Sequence, residues 1–405
     1  MSKTIYKQIP LLMIILIDSM GMGILVPILS IAFMSPHSPL VHMGTSVAMR
    51  QWDFSAVISV FMLSWFFGAA ILSDYSDISG RKHCLSICLI GAALGYALSA
   101  LAISKHHLWL LIIGRIIAGI TAGSQSIAQA VIVDASSEQT LNKHIGYIIL
   151  ASCLGFVLGP LLGGLLSNPK IPHATLATPM WVATALAALN LILLYVFFKE
   201  TRAPQKNTTL RLSRAILLFK EALLHPRVRC LSLIYIVFVY GWSNYYSFIS
   251  LYLIHSYHYS TLTITLFSVV LGLGFCLGSG YLNDKLAQWG CEKMVVINLL
   301  ITALLCLIGP LLSSEVIIWV SAFFIGTLVA AIYAHITTLF SLAASEDEQG
   351  WVMGIIGSMM ALSFGLSTFL GGMISGHHPI LPLYLSAFGL LLAGLLAYPL
   401  IFKQS

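Results

Sequence analysis

Long apolar runs and short polar breaks alternate twelve times along the chain. The runs lie near residues 9–32, 53–73, 83–103, 108–132, 145–167 and 179–199, then 230–254, 261–282, 293–312, 316–341, 352–375 and 381–402. Each is about 20 residues, enough for a helix to cross a hydrocarbon layer roughly 30 Å thick. Backbone polar groups in lipid must be satisfied within their own segment, so each run is expected to be a helix. An even number of spans puts both termini on one side. The longest polar break, about 200–229, divides six spans from six. This predicts an all-α membrane protein of three parts: a six-helix bundle over 1–199, a linker over 200–229 and a second six-helix bundle over 230–405. Within the linker, Arg211 to Leu224 has apolar residues at helical spacing, as in a short amphipathic helix lying at the inner interface. Two parallel bundles around a central cavity follow from the 6+6 division.

Composition agrees with this pattern. Of the 405 residues, 59% are hydrophobic and 8% charged, and the mean hydropathy is +0.94. Soluble domains carry about 25% charged residues. The formal net charge of +6 would suit nucleic acid only if the cations shared a folded face, and their placement has another explanation. With the N-terminus cytoplasmic, every Lys and Arg falls in an inner segment except Arg50, Lys105 and Lys170 outside and Arg115 within a span. That asymmetry predicts cytoplasmic termini and an inner-membrane protein, without nucleic acid as a partner. The first run is too long for a cleavable signal peptide, contains Asp18 and lacks a small-residue cleavage site. The seven cysteines form no Cys-x-x-Cys pair and suggest neither a disulfide framework nor a metal site.

Charges inside spans are costly and point to function. Asp18 opens the stretch Asp18-Ser19-Met20-Gly21-Met22-Gly23-Ile24-Leu25-Val26-Pro27 and sits roughly 14 Å into the layer. Arg115 enters span 4 from the other side, within about 5 Å of the same depth. On a continuous helix it shares a face with Ala122, Ser126 and Gln129. A pair between Asp18 and Arg115, direct or through water, is therefore expected. It serves proton coupling or merely holds helices together.

The loop after span 2, Ser73-Asp74-Tyr75-Ser76-Asp77-Ile78-Ser79-Gly80-Arg81-Lys82, places an acid and two bases at the inner face. A weaker counterpart after span 8, Gly280-Tyr281-Leu282-Asn283-Asp284-Lys285, signals an internal repeat. Span 5 carries Gly155, Gly159, Pro160, Gly163 and Gly164: glycines four apart for close packing, and a proline that kinks.

Taken together, these segments resemble the major facilitator superfamily, in particular its twelve-span drug:proton antiporter branch that includes tetracycline exporters. Asp18-x-x-Gly21-x-Gly23-x-x-x-Pro27 resembles the first-span motif of that branch. Asp77, Gly80, Arg81 and Lys82 resemble its loop motif, with Ser73 where glycine is usual. Arg115 and Gly119 resemble the fourth-span motif, and the span 5 glycines and proline the antiporter motif. The resemblance implies alternating access by rocking bundles. It also gives the inner loop the role of a conformational lock. On physical grounds Asp77 is expected to face the positive N-terminal end of span 11, near Gly350, and Arg81 to pair with Asp134 at the inner end of span 4. Asp284 is the corresponding acid of the second half.

Candidates for contact with substrate are Ser126 and Gln129 in the first half and, in the second, Tyr235, Trp242, Asn244, Tyr245 and Tyr246 of span 7. The span 7 residues read as an aromatic wall for an amphipathic substrate, or equally as core packing or an interfacial belt. His335 is an ionisable group deep in a second-half span, either a proton relay or a hydrogen-bonded bundle histidine. The outer connections are rich in histidine, without ligand spacing for a metal.

The leading expectation is a monomeric secondary transporter that exports a small amphipathic molecule or drug. The proton gradient supplies the energy, with no cofactor and no metal. No phosphate loop is present to bind a nucleotide. A specific metabolite or siderophore carrier is the alternative among transporters. An intramembrane enzyme would need a nucleophile motif or paired aspartates in the spans, and neither occurs.

Overall fold

The computed structural model describes residues 3–34, 40–41, 44–136, 138–168, 170–200, 213–282, 288–345 and 348–402. Among them all regular structure is helical. The first half contains α1 (Lys3–Met34), α2 (Val47–Ser79), α3 (Arg81–Lys105), α4 (Leu108–Ile120), α5 (Ser124–Asp134), α6 (Glu138–Leu166) and α7 (Thr178–Phe197). Then come α8 (Arg214–Leu224), α9 (Arg229–Tyr257), α10 (Thr261–Leu277), α11 (Cys291–Leu312), α12 (Glu315–Ala343), α13 (Gln349–Ser375) and α14 (Leu381–Ala397).

Eleven described helical segments are long and apolar enough to cross a membrane, or twelve if α8 and α9, bent by 116°, count as one span. The sequence called for α9 as a span of its own. Its middle is less apolar than the others because it carries Trp242, Ser243, Asn244, Tyr245, Tyr246 and Ser247. Span 4 departs from expectation in a different way. It is one crossing, Leu108–Asp134, but Thr121 to Gly123 interrupt it and divide it into α4 and α5. The Thr121 hydroxyl donates back to the Ile117 carbonyl at 2.9 Å, and two nearby glycines lower helix propensity. The face drawn through Arg115, Ser126 and Gln129 on a continuous helix is therefore broken between its members.

The chain forms two compact units: Met1–Gly44 with Val60–Ala215, and Thr45–Ser59 with Ile216–Ser405. In the first, α1 packs along α6, and α3 packs against both α4 and α7. Leu11, Ile14, Ile15, Cys84, Leu85, Cys88 and Val131 form part of its buried core. The α1–α6 contact depends on missing side chains. A Cβ on Gly155 would lie 2.6 Å from the Leu16 carbonyl oxygen, and one on Gly159 2.6 Å from that of Met20. In return Pro160 seats on Gly23, whose Cβ would be 2.6 Å from the proline Cδ. The first-span and span 5 motifs are thus the two sides of a single helix contact. In the second unit, α9 packs on α13 and α14, and α12 on α10 and α11.

Three consecutive acids, Glu346, Asp347 and Glu348, precede span 11, and the first two lie outside the described residues. Glu348 precedes α13, and its carboxylate accepts from the Ser345 backbone N–H at 3.0 Å. That bond holds its carboxyl below the usual range. Its contribution is present above the ordinary carboxylate pKa and is lost as pH falls through the lower folded value.

Candidate functional site

Asp18 is half-buried on α1 and meets the broken span. Its carboxylate accepts from the Ser124 hydroxyl at 2.5 Å and from the Gln125 backbone N–H. These donors open α5, where unpaired N–H groups and the helix dipole favour negative charge. The interruption in span 4 thereby creates a mid-span helix N-terminus directed at the acid, an arrangement well suited to anions in transport proteins.

Arg115 is placed differently from expectation. Among the described residues no ion pair joins it to Asp18. Its guanidinium instead lies over the Phe61 ring, 4.3 Å from the centroid, and is 1% exposed, with Nε and Nη1 lacking hydrogen-bond partners among the described residues. The physical reason is competition: the donors at the start of α5 occupy the carboxylate, while the aromatic face holds the cation. Tyr96 of α3 interacts electrostatically with both Asp18 and Arg115. A Cβ on Gly21 would lie 2.2 Å from the Tyr96 hydroxyl, so this glycine leaves the room in which the phenol sits.

At the other end of the unit, Gly80 separates α2 from α3 with φ +90°, a conformation that disfavours any side chain. Arg81 Nη2 lies 2.6 Å from Asp134 Oδ2. Asp77 is half-buried in the last turn of α2. Lys82 Nζ donates to the Tyr195 carbonyl at 3.1 Å and lies over the same residue's ring. Glu200 is an unforeseen member of this site. Its carboxylate accepts from the backbone N–H groups of Arg81 at 3.0 Å and Lys82 at 2.9 Å, capping α3. Glu200→Ala is expected to cost about 1 kcal/mol, the usual worth of such a cap, and thermal unfolding of the purified protein measures it. Buried Asp74 is tied to Arg214 at 2.6 Å, an ion pair that reaches the linker helix. Asp284 lies outside the described residues.

The remaining candidates are dispersed. Ser126 is exposed and its hydroxyl donates to the Gly123 carbonyl at 3.0 Å, while Gln129 is half-buried. Gly163 continues the α1 contact beside Ile24, and Gly164 is buried one residue on. Of the five span 7 residues only Tyr246 keeps partial exposure; Tyr235, Trp242, Asn244 and Tyr245 are buried. Tyr235 packs against Tyr333 and Phe340, and Trp242 against Tyr245 and Tyr246. Asn244 Nδ2 donates to the Tyr240 carbonyl at 3.0 Å and to Ser367 Oγ at 2.6 Å, joining α9 to α13. Core packing accounts for these four. His335 Nδ1 donates to the Ala331 carbonyl at 2.5 Å within its own helix, the geometry of a hydrogen-bonded bundle histidine.

Known proteins share this architecture. The profile of the Major Facilitator Superfamily matches residues 11–368. The chain belongs to that superfamily. It is a multi-pass membrane protein and a secondary transporter, not an enzyme. It is 28% identical over 311 residues to the class H tetracycline resistance protein of Pasteurella multocida, covering 74% of this chain and 71% of that protein. With the class B tetracycline resistance protein of Escherichia coli it shares 30% identity over 200 residues, 49% of this chain and 45% of that one. The match thus spans less than half the length of the class B protein. The crystal structure of the human organic anion transporter MFSD10 (TETRAN) superposes with a TM-score of 0.74 over 98% of this chain and 100% of that one, at 20% identity. That likeness concerns the fold.

Proposed function

We propose that this superfamily member exports small amphipathic molecules in exchange for protons, with Asp18 as the protonation site and Arg115 as the cation that responds to its charge. The observation that carries the reading is the Asp18 carboxylate, held in mid-span by Ser124 and the start of α5. A membrane-embedded acid is expensive and is by default a functional group, proton relays being one of its recurrent roles. Protonation removes its charge, loosens its hold on the α5 donors and changes the relative energies of the two access states. Substrate must then bind those states unequally for the gradient to perform work. The names of the relatives make tetracycline a suitable first probe.

The six-span halves, 1–199 and 230–405, act as the moving bodies and 200–229 as the link between them. The Arg81–Asp134 pair with Asp77, Gly80 and Lys82 serves as the inner lock, and Asp284 as its second-half counterpart. Tyr246, Ser126 and Gln129 remain candidates for substrate contact. The lysine and arginine asymmetry places both termini in the cytoplasm and the protein in the inner membrane. The chain works as a monomer, with the lipid bilayer, protons and the exported molecule as its partners and no bound cofactor.

In inside-out vesicles carrying an imposed proton gradient, tetracycline and planar cationic dyes serve as cargo probes. Accumulation that collapses with a protonophore, accompanied by cargo-dependent proton release, is the expected result. Cargo movement indifferent to the gradient would remove the antiport reading.

A further inference from the structure

Resting on the assignment of Asp18 as the protonation site, we infer that Tyr96 is the residue through which Asp18 and Arg115 sense one another. Mid-span acid and mid-span base form no ion pair with each other among the described residues, so coupling between them needs an intermediary. Tyr96 occupies the necessary place. Its hydroxyl packs on Gly21, one helical turn beyond Asp18 on α1. Its neighbour Gly95 meets Gly114 and Ala118, which bracket Arg115 on α4. Asp18 and Arg115 are the charged groups that act on this phenol. On its own helix Cys88 also faces Asp18 electrostatically, and α5 contributes the neutral Ser124.

A phenol is both donor and acceptor, so it can serve a carboxylate and a guanidinium together. While Asp18 is ionised, the Tyr96 O–H is offered to the carboxylate and its oxygen to the unused guanidinium N–H groups of Arg115. When Asp18 takes up its proton the carboxyl is neutral, the phenol loses its ionic acceptor, and its oxygen becomes a weaker acceptor for Arg115. The proton resides on Asp18, and Tyr96 remains a neutral phenol in both states. The buried guanidinium, whose Nε and Nη1 lack hydrogen-bond partners among the described residues, is strongly sensitive to such a loss, because unpaired buried charge is costly. Tyr96 is on this view a positioning residue, acting through Asp18 and Arg115.

The decisive comparison uses the full-length protein in proteoliposomes with tetracycline as cargo, pairing Tyr96→Phe with Asp18→Asn. Tyr96→Phe keeps the ring and removes the hydroxyl. It is expected to bind tetracycline within about threefold of the native protein, yet to shift the pH midpoint of cargo-dependent proton release by about one unit, a tenfold change in the ionisation constant. Gly21→Ala displaces the same hydroxyl while retaining it, and is expected to move the midpoint as well. A packing role alone would lower thermal stability in both variants and leave the midpoint in place. An unaltered pH profile in folded Tyr96→Phe overturns the inference, whatever Asp18→Asn does. Retention of coupled proton release by Asp18→Asn overturns instead the assignment of the protonation site.

Discussion

Asp18→Asn is expected to lower gradient-driven tetracycline accumulation by about 100-fold, within the range of ordinary coupling energies, and to leave a folded carrier. The side chain is nearly isosteric, and its carbonyl oxygen still accepts from the Ser124 hydroxyl and the Gln125 N–H that hold the native carboxylate. Structure at the start of α5 is therefore retained. What disappears is the ability to change charge. The variant is expected to exchange labelled for unlabelled tetracycline across the membrane at a rate close to native, since exchange requires binding and reorientation but no net proton movement. Uphill accumulation and its pH dependence should both vanish. Counterflow and gradient-driven uptake measured on the same vesicles separate the two properties. Near-native uphill transport by a variant with no titratable group at 18 would rule this carboxylate out as the coupling site.

The second large effect is structural. Gly159→Leu is expected to destabilise the protein by at least about 1–3 kcal/mol, the usual cost of overpacking, and by more where backbone blocks relaxation. The obstacle here is backbone: a Cβ at 159 would lie 2.6 Å from the Met20 carbonyl oxygen and 3.1 Å from the Gly23 Cα. Rotamer changes do not move those atoms, so α1 and α6 must separate. Because Asp18 rides on α1, its bond to Ser124 on α5 is strained as well, and surviving molecules should transport poorly. Gly146→Leu on the same helix is the control, since among the described residues nothing beyond the adjoining backbone of its own helix lies within 4 Å of the position its Cβ would take. Melting of purified protein in detergent compares them, each kcal/mol being worth about 2–4 °C in a domain of 150–250 residues. Equal melting temperatures for the two variants would show that the α1–α6 contact tolerates a side chain.

The sequence by itself determined the helical class, the alternation of apolar runs and the location of Asp18 and Arg115 inside membrane-length helices. These properties follow from transfer of residues into hydrocarbon, which acts on each segment separately and is written in local composition. The pairing of Arg81 with Asp134 was also legible, because the two opposite charges lie at the inner ends of their spans. Tertiary structure alone decided who meets the buried charges. The break at Thr121 to Gly123 turns Ser124 and Gln125 into donors for Asp18, although composition makes span 4 one apolar run. Gly21 and Gly95 let α1 and α4 approach α3 closely, which brings Tyr96 within the electrostatic reach of both acid and base. Glu200 caps α3 from more than a hundred residues away, and no local periodicity encodes that distance. Four of the five span 7 candidates are core residues for a related reason: aromatic and amide groups suit a cavity wall and a helix interface equally well. Hydropathy assigns residues to the membrane, whereas close packing and hydrogen-bond satisfaction between helices choose their partners.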